Sequence, residues 1–321
     1  MIALAALALL AALALLTQAG VLWINSRFPP QGEILATTAG PIHVVDLGPR
    51  HGDQLPVVMV HGASSNLNAM RSPLADNLAK TRRVILIDRP GHGWTPRDPA
   101  QNWSLASQAH AITAVLDRLG IPRAVVVAHS LGGAVATRLA LDEPQRVAGL
   151  VVLAGATHPW PGGGVGQLNK LLTTTLIGPL LAYTVTLPVG LFLVEPGART
   201  VFSPQTMPDG YVDATATPLL LRPREMLANA WDLIALNAEL GAQVVRYAQI
   251  TAPTVVIHGD ADEVASLDIH SRALAAEIPG ARLIVLPGVG HMVPNAASDL
   301  VQRELENLTA ASVTKSHATM R

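Results

Sequence analysis

The sequence predicts an α/β fold, with a mostly parallel sheet carrying helices on both faces, a helical cap inserted late in the chain and an apolar helix at the N-terminal end. Three observations predict it. Short β-branched runs such as Pro56-Val57-Val58-Met59-Val60 and Ala124-Val125-Val126-Val127 are continuously apolar, as strands buried on both faces are. Helix-compatible stretches alternate with these runs. The alternation stops at about residue 156 and resumes at about residue 249, which marks an insertion.

The first stretch, Ile2 to Ile24, has no charged side chain, and only Thr17 and Gln18 are polar among its larger residues. About 23 residues at 1.5 Å each give roughly 34 Å of helix, enough to cross the hydrocarbon core of a bilayer. Residues 1–27 are therefore expected to be a single-pass membrane anchor. A cleaved secretory signal is the alternative, but it would need a basic residue before the apolar run, and Thr17-Gln18-Ala19 is a poor cleavage site. Trp23 suits the membrane interface, and Arg27, the one flanking charge, favours a cytoplasmic catalytic part over a secreted one. Phe28-Pro29-Pro30-Gln31-Gly32 reads as a stiff spacer.

Ile34 to Thr38 and Ile42 to Asp46 form a hairpin around Ala39-Gly40-Pro41. Strands follow at 56–60, 83–87, 124–127, 149–153, 253–258 and 282–286, with helices expected over 67–80, 104–119, 134–141, 267–278 and from Pro294 to about Leu308. The core thus covers 28–155 and 249–310, and 311–321 is a flexible tail. In the insertion, 156–248, Leu168 to Val194 contains one charge, Lys170, and is interrupted by Gly178-Pro179 and Pro188. It predicts two or three short cap helices. A second membrane span is disfavoured because the prolines leave no clean run of about 20 residues. Gly162 to Gly164 is expected to be a cap hinge; no strand precedes it and no Gly-Lys-Ser/Thr follows, as a phosphate loop would require.

Composition excludes several classes of function. With 14% charged residues, a net charge of −1 and no basic run, nothing points to a nucleic-acid partner. There is no cysteine, hence no thiolate nucleophile, disulfide or thiolate metal site. The histidines form no HExxH or close His/Asp cluster, so no metal or other cofactor is assigned.

The chemistry centres on Ala128-His129-Ser130-Leu131-Gly132-Gly133, a β-branched run that stops at small residues before a helix. Such a strand-to-helix turn forces a serine hydroxyl into the open, which makes Ser130 the candidate nucleophile. A serine hydroxyl is a poor nucleophile at neutral pH. It needs a histidine to take its proton, a carboxylate to hold that histidine and N–H groups to stabilise an oxyanion. Asp262 and His291 each follow a later strand, and loops at the carboxyl ends of parallel strands share one edge of the sheet. Asp260 is a rival for the acid.

With His61-Gly62, Asp88-Arg89-Pro90-Gly91-His92-Gly93, the turn at Ser130, Gly259-Asp260-Ala261-Asp262 and Gly290-His291, the chain resembles the α/β-hydrolase fold superfamily over about residues 34–308. The resemblance implies Ser130 as nucleophile, Asp262 as acid and His291 as base, with the N–H groups of Ala63 and Leu131 as the oxyanion hole. It departs from the family pattern at Ala128, where a glycine is usual. His61 and Trp160 are candidates for contacting substrate, although His61 also reads as a brace for the oxyanion loop; His129, His92 and His258 read as packing or loop-ordering residues. Members that open epoxides or displace halides carry an aspartate at the turn, so Ser130 points to acyl transfer to water. The expected function is hydrolysis of a small apolar ester or other acyl substrate. Carbon–carbon bond hydrolysis, cofactor-free peroxidase-like chemistry, acyl transfer to another acceptor and a non-catalytic binding module are the alternatives.

Overall fold

The computed structural model describes residues 1–98, 104–161 and 166–319, of which 309–319 by backbone alone. The expected hinge at Gly162 to Gly164 lies outside the described residues. In chain order the main elements are α1 (Ile2–Arg27), β1 (Glu33–Thr37), β2 (Gly40–Leu47), β3 (Val57–Val60), β4 (Val84–Ile87), α2 (Leu105–Arg118), β5 (Ala124–His129), α3 (Leu131–Asp142) and β6 (Val147–Leu153). They continue with α4 (Gln167–Leu172), α5 (Ile177–Phe202), α6 (Pro223–Val244), β7 (Thr254–Gly259), β8 (Arg282–Leu286) and α7 (Ser298–Thr319).

The eight strands form one sheet in the order β1-β2-β4-β3-β5-β6-β7-β8, antiparallel at its first two pairings and parallel from there on. Side chains along a strand alternate between faces, so each apolar run supplies two cores. Val58, Val60, Val126, Ala128 and Val152 pack under α2 and α3, while Val57, Met59, Val125, Val127 and Val151 pack with Leu74 and Leu78 and, from α7, Val301 and Leu305. This two-sided burial is what the uninterrupted valine runs encode. Ser104 caps α2 by accepting a hydrogen bond from the Ser107 N–H at 3.2 Å.

Four expectations are corrected. The helix over 67–80 is broken at Ser72 (φ −108°, ψ 135°), because the residue before a proline is driven out of the helical region. The last helix begins at Ser298 and runs to Thr319 instead of ending near Leu308; no glycine or proline after Leu308 supplies a stop signal. Within the insertion, a short α4 is followed by one helix of 26 residues, α5, which continues through Pro179 and Pro188. It widens to a π-helix over Ala182–Thr186 immediately before Pro188, and the hydroxyls of Thr184 and Thr186 donate to the carbonyls of Leu180 and Ala182. The Thr184 carbonyl lies four residues before Pro188, which has no N–H to offer it. It accepts instead from the Thr17 hydroxyl of α1 at 3.1 Å.

That bond belongs to the fourth correction: Phe28-Pro29-Pro30-Gln31-Gly32 does not act as a stiff spacer that holds α1 apart, because α1 and Phe28 pack on the insertion. Leu10, Leu13, Thr17, Gly20, Val21, Ile24 and Phe28 form its shielded stripe, at the spacing of one helix face. Ile24 and Phe28 are buried with Leu187, Ala216, Leu219 and Leu221 of the insertion. The remaining faces of α1 are exposed, and its length and apolar composition are those of a membrane-crossing helix. Truncating the fully buried Ile24 to alanine should cost about 2–5 kcal/mol. The detergent-solubilised full chain carrying Ile24→Ala is therefore expected to melt several degrees below wild type; an unchanged melting temperature would mean that α1 is not packed on the insertion.

Candidate active site

Ser130 stands between β5 and α3 with φ 54° and ψ −125°, a left-handed conformation that a side chain rarely adopts. The turn is held from three sides. The Ser130 N–H donates to Leu153 O at 3.0 Å, and Ser130 O accepts from Gly133 N at 2.8 Å and Ala156 N at 3.0 Å. A methyl group at Gly132 would lie 2.6 Å from Val60 O, and one at Gly62 would lie 2.8 Å from Ser130 Cβ. The chain can fold back here only because those positions are bare. Ala128 takes the place of the usual first glycine without conflict, its methyl buried in the sheet core.

The His291 loop and the Asp262 loop meet beside this turn. His291 Nδ1 lies 2.7 Å from Asp262 Oδ2, while Asp262 Oδ1 accepts from the N–H groups of Val264 and Ala265. Asp260 instead accepts the Gly288 N–H at 2.6 Å and is not on the histidine. Burial opposes the charge of Asp262, but the hydrogen bonds from His258 and His291 outweigh it and hold its carboxyl well below the usual range. An acceptor at Nδ1 fixes the His291 tautomer that keeps the Nε2 lone pair free for a hydroxyl proton.

His258, expected only to order its loop, bonds the same carboxylate oxygen through Nε2 at 2.9 Å. Nε2 also faces the Ala265 carbonyl, so it carries the proton, and Nδ1 faces the Ser271 hydroxyl at 2.6 Å. Sequence reasoning missed this second donor to Asp262; the signal was the i, i+4 spacing of 258 and 262 across a strand end. His129, next to the nucleophile, bonds the His291 carbonyl through Nε2 at 3.0 Å. Burial, aided by the nearby His291 ring, depresses its pKa to about 3, so it serves as a neutral brace.

The loop His61 to Ser64 faces Ser130, and its orientation is set from below. Arg89 Nε donates to His61 O at 3.1 Å and Arg89 Nη2 to Gly62 O at 2.9 Å. In a trans peptide the C=O and the following N–H point opposite ways, so holding the Gly62 carbonyl downward turns the Ala63 N–H upward. Leu131, the first residue of α3, has no helical partner for its own N–H. These are the two candidate oxyanion donors. On the far side of the loop, Asn229 of α6 accepts from Ser64 N at 2.6 Å.

Arg89 is itself buried, with Nη1 on Asp232 at 2.7 Å and on Gln108 at 2.7 Å, and Arg97 bonds the other oxygen of Asp232 at 2.5 Å. Asp232 lies on α6 in the insertion, and nothing in its local sequence advertises the role. His61 is fully buried. Its Nε2 accepts the Arg89 N–H at 3.0 Å and its Nδ1 meets Gly62 O at 2.9 Å. Both ring nitrogens are engaged, which makes His61 a brace and removes it from the substrate contacts. Trp160 donates its backbone N–H to Asn237 of α6 at 2.8 Å and packs edge-on against His270. Among the described residues no group of three or more His, Asp or Glu side chains is placed to hold a metal ion.

Comparison with known proteins agrees with this geometry at the level of the fold. Residues 57–303 match the profile of the alpha/beta hydrolase family. A 2-hydroxy-6-oxononadienedioate/2-hydroxy-6-oxononatrienedioate hydrolase of Cupriavidus pinatubonensis is 31% identical over 250 residues, covering 73% of this chain and 80% of that one. A magnesium-chelatase 30 kDa subunit of Rhodobacter capsulatus is 26% identical, over 86% of this chain and 94% of that one. Among solved structures, the enol-lactonase from Burkholderia xenovorans LB400 superposes with a TM-score of 0.68 at 21% identity, over 85% of this chain and 98% of that chain. The chain belongs to the alpha/beta hydrolase family, and it is a hydrolase.

Two outcomes test the site. Removing one partner of a buried ion pair strands the other, at a cost of about 3–5 kcal/mol. Arg89→Met should therefore lower stability by that order in urea unfolding, and pairing it with Asp232→Leu should recover part of the loss. Both proteins should react slowly with a fluorophosphonate probe, because the Gly62 carbonyl is no longer held; normal labelling of the double variant would mean that Arg89 does not set the loop.

Acid sensitivity is the second. Burial, with a smaller contribution from neighbouring cations and histidines, depresses His129 to about 3, His270 to about 4, and His61 and His92 well below the ordinary value. In the unfolded chain these rings titrate near 6.5, so from about pH 6.5 downward the unfolded state binds more protons and stability falls. Each ring contributes a slope of about 1.4 kcal/mol per pH unit in that window. His129→Gln should make urea stability between about pH 6 and 4 shallower by roughly one proton; an unchanged slope would place His129 outside the acid response.

Proposed function

We propose that this hydrolase cleaves an apolar carboxylic ester through an acyl-enzyme on Ser130. The observation that carries the reading is the 2.7 Å contact between Asp262 and His291 Nδ1, on the sheet edge where Ser130 stands. His291 Nε2 takes the Ser130 proton as Oγ attacks the substrate carbonyl, and the resulting oxyanion is stabilised by the N–H groups of Ala63 and Leu131. The C–O bond breaks, His291 returns its proton to the leaving alkoxide, and the acyl group stays on Ser130. Water, deprotonated by His291, then attacks the acyl carbonyl and releases the acid, while Ser130 recovers its proton.

An apolar substrate is favoured by the composition of the insertion, whose stretch from Leu171 to Val194 has no charged side chain. Arg89 and Arg97, the arginines beneath the oxyanion loop, are both committed to Asp232, which leaves them no role as carboxylate receptors for an acidic substrate. We further assign α1 as a retained membrane anchor. In support, Thr17, Ile24 and Phe28 are parts of the folded packing, which removal of a signal segment would undo.

A second reading, carbon–carbon bond hydrolysis of a conjugated ketone by the same three residues, is favoured by the name of the 31% identical relative. That name specifies a dioate, so the reading calls for receptors for two carboxylates. A panel of p-nitrophenyl esters from short to long acyl chains, set beside a vinylogous diketone acid, separates the two. Esters should be turned over with a preference for apolar chains, and Ser130→Ala should lower kcat by a factor on the order of 10⁶ with little change in stability. Turnover of the diketone with none of the esters would replace the first reading by the second.

A further inference from the structure

We infer that the insertion is itself a membrane-contacting element, with the apolar face of α4 and α5 lying in the bilayer surface beside α1. The inference rests on the reading of α1 as a membrane anchor and extends it to the part of the protein that covers the catalytic edge.

The first observation is an apolar surface with no protein partner. Leu168 and Leu171 of α4, Leu176, and Ile177, Leu180, Val189, Leu191, Phe192 and Leu193 of α5 are all exposed, Leu176 by 83% and Phe192 by 82%. Contiguous apolar surface of this kind marks a contact with lipid or with another protein. Charged residues flank it: Lys170 lies beside Leu168 and Leu171 near its start, and Glu195 and Arg199, paired with each other, follow it.

The second observation identifies the occupant. α1 is packed along α5 as part of one solid body. The Thr17 hydroxyl donates to Thr184 O, a methyl group at Gly20 would lie 2.5 Å from Leu187 Cδ2, and Ile24 is buried against Leu187. Close approach at a small residue and a hydroxyl-to-carbonyl bond between helices are the devices by which helices associate inside lipid. The end of α1 is clamped as well: Arg27 pairs with Asp213 at 2.9 Å and Asn25 accepts from Arg222 at 2.8 Å. A bilayer that takes up α1 therefore meets the α5 face joined to it. A second copy of the chain fits less well, since residues 2–9 of α1 are exposed on every face beyond the insertion, and one partner cannot cover them all.

The third observation sets the posture of α5. Near its start, Leu181 and Ala182 pack with Leu172 and Ala230, and its last residue, Phe202, is buried with Met207 and Met292. The start of α5 is thus held between α4 and α6 of the insertion and its end against the residue after His291, so α5 lies along the surface instead of crossing it. Met292 directly follows His291, and Gln205 accepts the Gly290 N–H at 2.8 Å. The lipid-facing helix consequently ends on the loop that carries the general base, and a lipophilic substrate dissolved in the membrane would be delivered to that edge.

The chain has no cysteine, which permits single-site labelling of the full-length protein. Leu9→Cys on α1, Leu180→Cys and Phe192→Cys on α5, and Arg303→Cys on α7 are each labelled with the environment-sensitive fluorophore NBD and reconstituted into phosphatidylcholine vesicles. Quenching by doxyl-labelled lipid is compared with quenching by aqueous iodide, and a thermal melt of each variant checks folding. The expected result is a blue-shifted emission lost to doxyl lipid at 9, 180 and 192, and emission lost to iodide at 303. Lipid quenching at 9 with iodide quenching at 180 and 192 would overturn the inference and leave the anchor intact. Iodide quenching at 9 would overturn the anchor reading itself. Shielding of 180 and 192 from both quenchers would assign the face to a second copy of the chain, and that also overturns the inference.

Discussion

The buried Arg89–Asp232 pair is the constraint on which the candidate active site depends. A guanidinium taken out of water must be compensated by several hydrogen bonds, and Arg89 donates them to Asp232, Gln108 and the carbonyls of His61 and Gly62. Two of those acceptors belong to the oxyanion loop and one to the insertion. The same desolvated charge thereby orients the Ala63 N–H and fastens α6 over the sheet edge. Replacing the arginine by an uncharged residue of equal size would fill the space and lose the direction, because only a planar fork of donors can face both carbonyls while pairing with a carboxylate.

Against that fixed loop, the Ser130 turn carries its own strain. A non-glycine residue at φ 54° persists only where its surroundings over-determine it, and here Leu153, Gly133 and Ala156 do so through three backbone hydrogen bonds. The sheet supplies the rest. Parallel pairing of β3, β5, β6, β7 and β8 brings the ends of four strands into register, so that the loops carrying Ala63, Ser130, Asp262 and His291 emerge along one edge. The relative placement of the candidate groups is a property of the sheet more than of the loops.

This division explains what could be read from the sequence. The candidates Ser130, Asp262 and His291 could be picked out because each lies in the loop after a strand, and strands announce themselves through uninterrupted runs of valine, isoleucine and leucine. Family register already favoured Asp262 over Asp260, two residues away in the same turn, and in the structure Asp262 meets His291 while Asp260 takes the Gly288 N–H. Asp232 was invisible: it lies 143 residues from Arg89 on an otherwise ordinary amphipathic helix. The prolines of α5 misled because their disruption is repaired by a π-turn within the helix and, from outside the segment, by Thr17, a residue more than 160 positions away. Local rules fail where a distant part of the chain completes the hydrogen bonding.

The same long-range completion joins the apolar N-terminal helix to the chemistry. The Phe28 carbonyl at the end of α1 accepts the indole N–H of Trp94 at 3.2 Å, and the backbone N–H of Trp94 is held by Asp88 at 2.8 Å. Asp88 adjoins Arg89, and it also accepts from Leu67 N and from the His43 ring. Arg222, stacked over Trp94 with its guanidinium 4.6 Å from the ring centre, ties the insertion to Gly93 O of the same loop. One loop, Asp88 to Trp94, thus receives the end of α1 and an arginine of the insertion on one side and positions the oxyanion loop on the other. An α1 that were only a tether would need none of these contacts. Their presence makes the helix a structural member of the catalytic unit, and it explains why a chain with an ordinary α/β core devotes buried hydrogen bonds to its most apolar segment.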